Sequence, residues 1–583
     1  MKILNHLIIV LTFSLITSQM TSRAAEVLAE TEAEYQERMQ WFTDAKFGLF
    51  IHYGVYSTLG GEWKGEDVKK YAEWIQCHGN ITPEEYIPLA ANFSPDKLDA
   101  DAWVKRAKDA GMKYMVITTK HHEGFCLWDS AYTEYDLGEA TDFDRDILGE
   151  LAAACKKYDI KFGTYYSIID WHHPSQRAEK SINQTPMNDK EGYVTYMKAQ
   201  LKELIDRYDP AIMWFDGDWT KWWTMEDGID LYNYLRALSP DMIINNRVAK
   251  RAKFKKDFGT PENATPGAAL DHIWEACWTV NHSWGFKKSD TSWKSTDVLI
   301  QKQIDINTKG GNLLLNVGPH ADGSWPEKSI QQLEEMGNWN AANAEAVYNA
   351  EFVAAPAQSW GKLAQAKDST PASGALYAYV FDWPVSGKLK MEGLRFGQVK
   401  AFSGNQSLPT ISVKGGIEVD LSRVTEDPYA TVVKLNYSDK QMLEPSVDGY
   451  DFSGDELVLD ARSASLKGSQ LQLQDGSHLG YWTNPADTAS WTLNVPAPGT
   501  FKIKALYSCA KNYAGSDAKL TVAGETLTAT VKATAGWKAF EVQELGQITL
   551  NDVGATEVTL GFGQTRKKAL FNLKALIFEP IEK

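Results

Sequence analysis

From about Gln40 to Tyr348, short apolar runs rich in β-branched and aromatic residues alternate with amphipathic stretches of helical period. Phe47–Tyr56, Tyr114–His121, Lys161–Asp170, Ala211–Asp218, Met242–Arg247, His272–Thr279 and Asn312–Pro319 read as strands, and Asp99–Ala110, Ile147–Lys157, Gly192–Tyr208 and Leu231–Leu238 as helices between them. Near-continuous apolar runs are what parallel strands covered on both faces require. Such βα units, repeated over about 300 residues, predict an α/β fold of the (β/α)8, TIM-like barrel type, with a doubly wound sheet as the alternative. Seven strands are evident; an eighth is not.

After about Val353 the pattern changes to short strands punctuated by Gly, Pro, Ser and Asn, which predicts all-β sandwiches. The expected division is a leader at 1–25, a barrel at 26–352, a β-sandwich at 353–442 and a second, jelly-roll-like sandwich at 443–583. The polar stretch near Asp439–Gly454 reads as a linker between the two sandwiches.

The leader reading rests on Lys2, the apolar run Leu7–Ile16 and the small residues around Ser22-Arg23-Ala24-Ala25, which together have the form of a signal peptide. That run is too short to span a bilayer, and no later segment is long and apolar enough. The expectation is an exported protein, periplasmic or secreted. A net charge of −16 argues against a nucleic-acid partner, which needs a basic face. The five cysteines are scattered and form neither a disulfide framework nor a metal-binding pair, so most are read as buried thiols.

Barrel enzymes place their chemistry at the C-terminal ends of the strands. Here the first strand ends in His52-Tyr53-Gly54, the second in Lys120-His121-His122-Glu123, the third in Tyr165-Tyr166-Ser167, the fourth in Trp214-Phe215-Asp216-Gly217-Asp218 and the fifth in Asn245-Asn246-Arg247. Polar groups on five strand ends are hard to explain as core, because burying them unpaired is costly. Strand alternation would send the His121 and His122 side chains to opposite sides, so only one of them should face the mouth. With neither HxH nor HExxH at these strand ends, no metal site is expected. Imidazoles, carboxylates and abundant Trp and Tyr fit a sugar pocket instead. A retaining glycosidase needs a carboxylate nucleophile and a second carboxyl about 5 Å away. Asp216 suits the first role, with Asp218 the weaker competitor. Glu262, in the loop after the fifth strand, and Glu275, on the sixth, both suit the acid/base role.

The stretches Trp41-Phe42 with Lys46-Phe47-Gly48, Tyr71-Ala72-Glu73-Trp74, Thr119–Phe125, Trp214–Gly217 and Gly310–Pro319 resemble, in content and order, the α-L-fucosidases of glycoside hydrolase family 29. The resemblance covers roughly residues 38–350. It implies retention of configuration, no cofactor, and a fucosylated glycan as substrate. It implies Asp216 as nucleophile and fucose contacts from His52, Glu73, Trp74, His121, His122, Tyr165, Trp214 and Arg247. It favours Glu262 over Glu275 as acid/base. Glu73 and Trp74 enter through the resemblance alone. Two rival functions stand beside this one: the same mechanism on a related sugar such as an α-L-galactoside, and a barrel that binds sugar without catalysis. The last sandwich has the general pattern of a carbohydrate-binding module, with Tyr481, Trp482, Trp491 and Trp537 as candidate stacking residues.

Overall fold

The computed structural model describes residues 26–177, 186–266, 269–356, 358–413, 415–442, 457–474, 477–495, 498–551 and 554–581. The leader and most of the expected linker therefore lie outside the described residues.

Seven parallel strands form one curled sheet: β1 (Phe47–Ile51), β2 (Tyr114–Lys120), β3 (Lys161–Ser167), β4 (Ile212–Asp216), β5 (Ile243–Ile244), β6 (Glu275–Thr279) and β7 (Asn312–Val317). Their spatial order is β5-β4-β3-β2-β1-β7-β6, with β1 pairing β2 on one side and β7 on the other. The two sheet ends, β5 and β6, are joined by the segment Phe258–Glu262. Phe258 bridges Asn245 in parallel, and Gly259 and Glu262 bridge Trp274 and Cys277. This segment takes the place of the eighth strand. Its Gly, Thr and Pro and its irregular pairing hide it from a search for apolar runs.

The barrel interior is one cluster drawn from every stave: Phe50, Tyr114 and Val116, Tyr165, Ile212 and Trp214, Ile243, Phe258, Cys277 and Leu314. Met39, Phe42 and Ala45 of the helix α1 (Glu32–Ala45) join the same cluster. That helix starts at Thr31, whose side chain exchanges hydrogen bonds with Glu34 in a capping box. The helices α2 (Ala100–Asp109), α3 (Ile147–Tyr158), α4 (Lys190–Tyr208), α5 (Met225–Leu238) and α6 (Thr296–Asn307) connect successive strands, and α7 (Glu327–Ala342) follows β7. Among the described residues no α-helix lies between β5 and the bridging segment or between that segment and β6.

Beyond the barrel the strands are antiparallel. A six-stranded sheet including Ser373–Val380 and Thr431–Ser438 encloses a core with the three-stranded sheet of Lys388–Glu392, Thr410–Val413 and Gly416–Asp420. The six-stranded sheet also packs on the barrel. Tyr377, Tyr379 and Ala430 belong to the barrel's outer core, and Trp339 of α7 donates to the Ala430 carbonyl at 3.0 Å. Farther along, six strands centred on Asn572–Pro580 and Gly499–Ser508 face five centred on Gly554–Phe562, around a core of their own. Trp482 and Trp491 are buried in that core and donate to the carbonyls of Asp487 and Asp460, so both are packing residues. Tyr481 is exposed. All five cysteines are buried thiols outside any disulfide, and among the described residues no helix is long and apolar enough to cross a membrane.

Candidate active site

At the C-terminal rim a cavity of about 310 Å³ is lined by Phe50, His52, Lys70, Tyr71, Glu73, Trp74, His78, His121, Tyr165, Trp214, Asp216, Trp219, Arg247, Glu262, Cys277 and Trp284. All the expected sugar contacts except His122 line it directly. His122 stands immediately behind, with Nε2 3.8 Å from Asp216 Oδ2.

Asp216 is the last residue of β4, and the next residue, Gly217, has φ +95°, where a Cβ would meet the Ile169 side chain at 2.9 Å and its backbone nitrogen at 3.1 Å. A side chain there would be strained, so glycine is what lets the chain turn away and leave the carboxylate facing the cavity. Asp216 Oδ1 accepts from Arg247 Nη1 at 2.8 Å and from Arg251 Nη2 at 3.0 Å; Oδ2 meets Tyr165 Oη at 3.4 Å. Burial pushes this carboxyl up, but the charges of Arg247 and Arg251 outweigh it and hold it down at about 2.

Arg247 lies in the tight turn after β5, almost wholly buried, with its guanidinium 4.6 Å from the Trp214 ring centroid. Its Nη2 donates to Glu262 Oε2 at 2.9 Å, so one guanidinium joins two carboxylates. Glu262 ends the bridging segment, and its side chain is 42% exposed. Glu275 is placed differently. It opens β6, at the end of the barrel opposite the rim. There it is fully buried, accepting from Trp214 Nε1 at 3.0 Å and from Tyr114 Oη. Burial pushes it up to about 7. It supports the floor of the cavity and does not line it.

His52 Nδ1 is 2.6 Å from Asn316 Oδ1, while Asn316 Nδ2 donates to the Trp284 carbonyl at 2.7 Å. The amide is therefore oriented with its acceptor toward His52, which selects the Nδ1–H tautomer and leaves Nε2 an acceptor. His122 Nδ1 is 2.6 Å from Ser167 Oγ, whose own proton goes to the Ile169 carbonyl, so the same tautomer follows. Burial lowers His52 to about 3 and His122 to about 4, and holds His121 well below its ordinary value. All three are neutral at ordinary pH. Of the pair expected to part at the mouth, His121 lines the cavity and His122 stands behind it, beside Asp216. β2 ends at Lys120 after an irregularity in its pairing with β3, so the pair sits beyond the pleat. Their rings are 4.3 Å apart, and His121 stacks on Tyr165.

Glu73 and Trp74 come from a short 3-10 turn, Ala72–Trp74, in the long β1–α2 connection. Glu73 Oε2 accepts from the Gly285 amide at 2.9 Å, while its buried Oε1 has no protein partner. Burial pushes this carboxyl up to about 7. Trp74 packs edge-on against His122. Asp218 does not line the cavity; it is clamped by Arg251. Sequence reasoning missed Arg251, Trp219, Tyr71 and His78. Arg251 and Trp219 lie in loops and His78 ends the one-turn helix Ile75–His78, so no period marks them, and Tyr71 enters only as part of the Tyr71-Ala72-Glu73-Trp74 stretch.

This cavity offers an ionised carboxylate, a second carboxyl across an arginine, neutral imidazole acceptors and aromatic walls, a set suited to binding a sugar ring and attacking its anomeric carbon. The family model for α-L-fucosidase matches residues 14–345. Plasma α-L-fucosidase of Pongo abelii is 30% identical over 66% of this chain and 86% of its own. An α-L-fucosidase of Bacteroides thetaiotaomicron, solved as a trapped covalent intermediate with 2-fluoro-fucosyl fluoride, is 29% identical with a TM-score of 0.61, covering 70% of this chain and 97% of that one. The fold likeness extends past the barrel in α-L-fucosidase from Vibrio sp. strain EJY3, 23% identical with a TM-score of 0.68 over 94% of this chain and 98% of that one. The chain belongs to the α-L-fucosidase family, glycoside hydrolase family 29.

Proposed function

We propose that this glycoside hydrolase is an exported, retaining α-L-fucosidase that removes terminal α-L-fucosyl groups from oligosaccharides, polysaccharides or glycoconjugates. Asp216 is its nucleophile and Glu262 its acid/base. The observation that carries the reading is the Arg247 guanidinium, which donates to both Asp216 and Glu262 at the mouth of one aromatic cavity. Glu275, sealed beneath Trp214, lacks access to a departing oxygen.

In the first step Asp216 attacks the anomeric carbon while Glu262 gives its proton to the leaving oxygen. In the second, Glu262 takes a proton from water, which attacks the same carbon and releases the sugar with its configuration retained. The exposed Glu262 side chain has room to part from Arg247 and meet the glycosidic oxygen. Neutral His52 and His122 present Nε2 acceptors to sugar hydroxyls. Phe50, Cys277 and Trp284 add apolar lining, which favours the methyl group of fucose over the hydroxymethyl group of galactose.

The test is hydrolysis of 4-nitrophenyl α-L-fucoside. Wild type should turn it over and release α-L-fucose as the first-formed anomer, while leaving the β-anomeric aryl fucoside intact. Asp216→Ala should fall to background, and 2-fluoro-fucosyl fluoride should label a peptide containing Asp216. Equal background rates for wild type and Asp216→Ala would favour a non-catalytic, sugar-binding barrel instead. A screen of linkage-defined fucosides then assigns the natural bond.

A further inference from the structure

Asp216 has two unequal oxygens. Oδ1 takes two N–H donors, from Arg247 and Arg251. Oδ2 has only the long contact to the Tyr165 hydroxyl and the His122 Nε2 lone pair 3.8 Å away. The two arginines are held differently. Arg247 is buried and shared with Glu262; Arg251 is 30% exposed, with its guanidinium 5.3 Å from the Trp219 centroid. Arg251 is fixed by Asp218: Nε donates to both carboxylate oxygens at 2.8 and 3.0 Å, Nη2 donates to Oδ1, and the Arg251 backbone nitrogen donates to Oδ2 at 3.1 Å. Asp218 is itself buried. Leaving a buried carboxyl without partners is costly, so Asp218 is committed to Arg251.

We propose that Arg251 is a further catalytic residue, oriented by Asp218, that leaves Oδ2 of Asp216 as the attacking atom and receives charge on Oδ1 when the glycosyl–enzyme bond breaks. The inference rests on the double-displacement reading above. In the first step an Oδ2 lone pair forms the bond to the anomeric carbon, the C–O bond to the leaving group breaks, and the proton of Glu262 goes to the departing oxygen. Oδ1 becomes the ester carbonyl. In the second step water bonds to the anomeric carbon and Glu262 takes its proton. The Oδ2–carbon bond breaks, and its electron pair returns to a carboxylate whose Oδ1 is already met by two cations. Donors aimed at a carboxylate make it a weaker nucleophile but a better leaving group. Arg251 therefore speeds the second step more than the first. Asp218 keeps Arg251 paired while Asp216 is esterified and neutral.

The experiment is pre-steady-state hydrolysis of 2,4-dinitrophenyl α-L-fucoside by wild type, Arg251→Ala, Arg251→Lys and Asp218→Asn, with thermal unfolding as the check on folding. Arg251→Ala should lower kcat about tenfold or more, lower KM with it, and show a burst of dinitrophenol as the intermediate accumulates. Added guanidinium should restore part of kcat. Arg251→Lys should lie between, and Asp218→Asn should show the same burst more weakly. An Arg251→Ala enzyme with wild-type kcat, or one that loses kcat/KM through a raised KM with no burst, overturns the proposal. If Arg251→Ala does not fold, the burst in the lysine and asparagine variants decides the matter. An inert wild-type enzyme would instead refute the fucosidase reading itself.

Discussion

At the scale of single residues, the two acid/base candidates separate by what each carboxyl touches. Glu262 meets the cavity and one arginine; Glu275 meets Tyr114 and Trp214 inside the barrel. A glutamine at 275 still accepts from Trp214 and turns its amide toward the Tyr114 oxygen. Glu275→Gln should therefore keep kcat/KM within about threefold, whereas Glu262→Ala should lose the 10²–10⁴-fold typical of a general acid, with partial rescue of rate by azide. A large loss in Glu275→Gln with little in Glu262→Ala would exchange the roles. Tyr114→Phe removes one of the two partners of a buried carboxyl, and the cost should be about 1–3 kcal/mol in denaturant unfolding. The residues legible from sequence were those whose position follows from a strand end: His52, Tyr165, Asp216 and Arg247. The choice between Glu262 and Glu275 was not legible, because it depends on which end of β6 carries the glutamate, and a run of apolar residues does not mark its own first residue. Glu73 and Trp74 sit in a turn without period, so only family resemblance reached them.

Among the elements, the segment Phe258–Glu262 matters most to the site and was least visible. Seven staves advertise themselves as apolar runs because helices cover them outside and neighbours cover them inside. The eighth has Gly259, Thr260 and Pro261 in its middle and no flanking helix, so it lacks that signature. Its ladder is sparse: Gly259 and Asn263 donate to β6-side carbonyls, and Pro261 has no N–H to give. Phe258 is buried, and the Phe258, Gly259 and Pro261 carbonyls accept from Asn246, Glu275 and Cys277. But only two of the segment's own amides donate into the ladder, and its far end, Glu262–Asn263, is exposed, which implies a lower opening free energy than that of the other staves. In hydrogen exchange, the amides of residues 258–263 should exchange at least tenfold faster than those of β2, β3 and β4. Protection equal to those strands would mean that the carrier of Glu262 is as rigid as the rest of the wall. The carrier of Asp216 is built the opposite way, on β4 with a ladder on both sides. Gly217→Ala should disturb that end at a cost of about 1–3 kcal/mol in stability, from a residue forced to positive φ against Ile169.

Over the whole molecule, the buried ionisable groups set how stability depends on pH. His52, His121 and His122 have folded pKa values below the ordinary 6.5, because burial disfavours the imidazolium. The unfolded chain binds their protons first, so each costs stability as pH falls below about 6.5. Glu73, Glu123 and Glu275 have folded values raised by burial from 4.5 to about 7, 8 and 7. The folded chain holds their protons longer, so each costs stability as pH rises from 4.5 toward those values. Between 4.5 and 6.5 these carboxyls oppose the histidines, and the histidine side is the larger because burial also lowers His78, His172, His173 and His320. Above 6.5 the histidines are neutral in both states, and the carboxyls alone erode stability until about pH 8. Below 4.5 these three carboxyls are protonated in both states, and the histidines erode stability together with the carboxylates held low by cations, Asp216, Glu30 and Asp305 among them. Tm should therefore be highest near pH 6.5 and decline on both sides. Glu123 tests the alkaline side cleanly. It lies outside the cavity lining, accepts from the Val55 amide at 3.0 Å and contacts Tyr86 Oη. Glu123→Gln should keep Tm near pH 5 within a few degrees and shrink the decline between pH 6.5 and 8. A Tm that climbs steadily from pH 5 to 8, or an unchanged alkaline decline in Glu123→Gln, would mean that these carboxyls are not held protonated by burial.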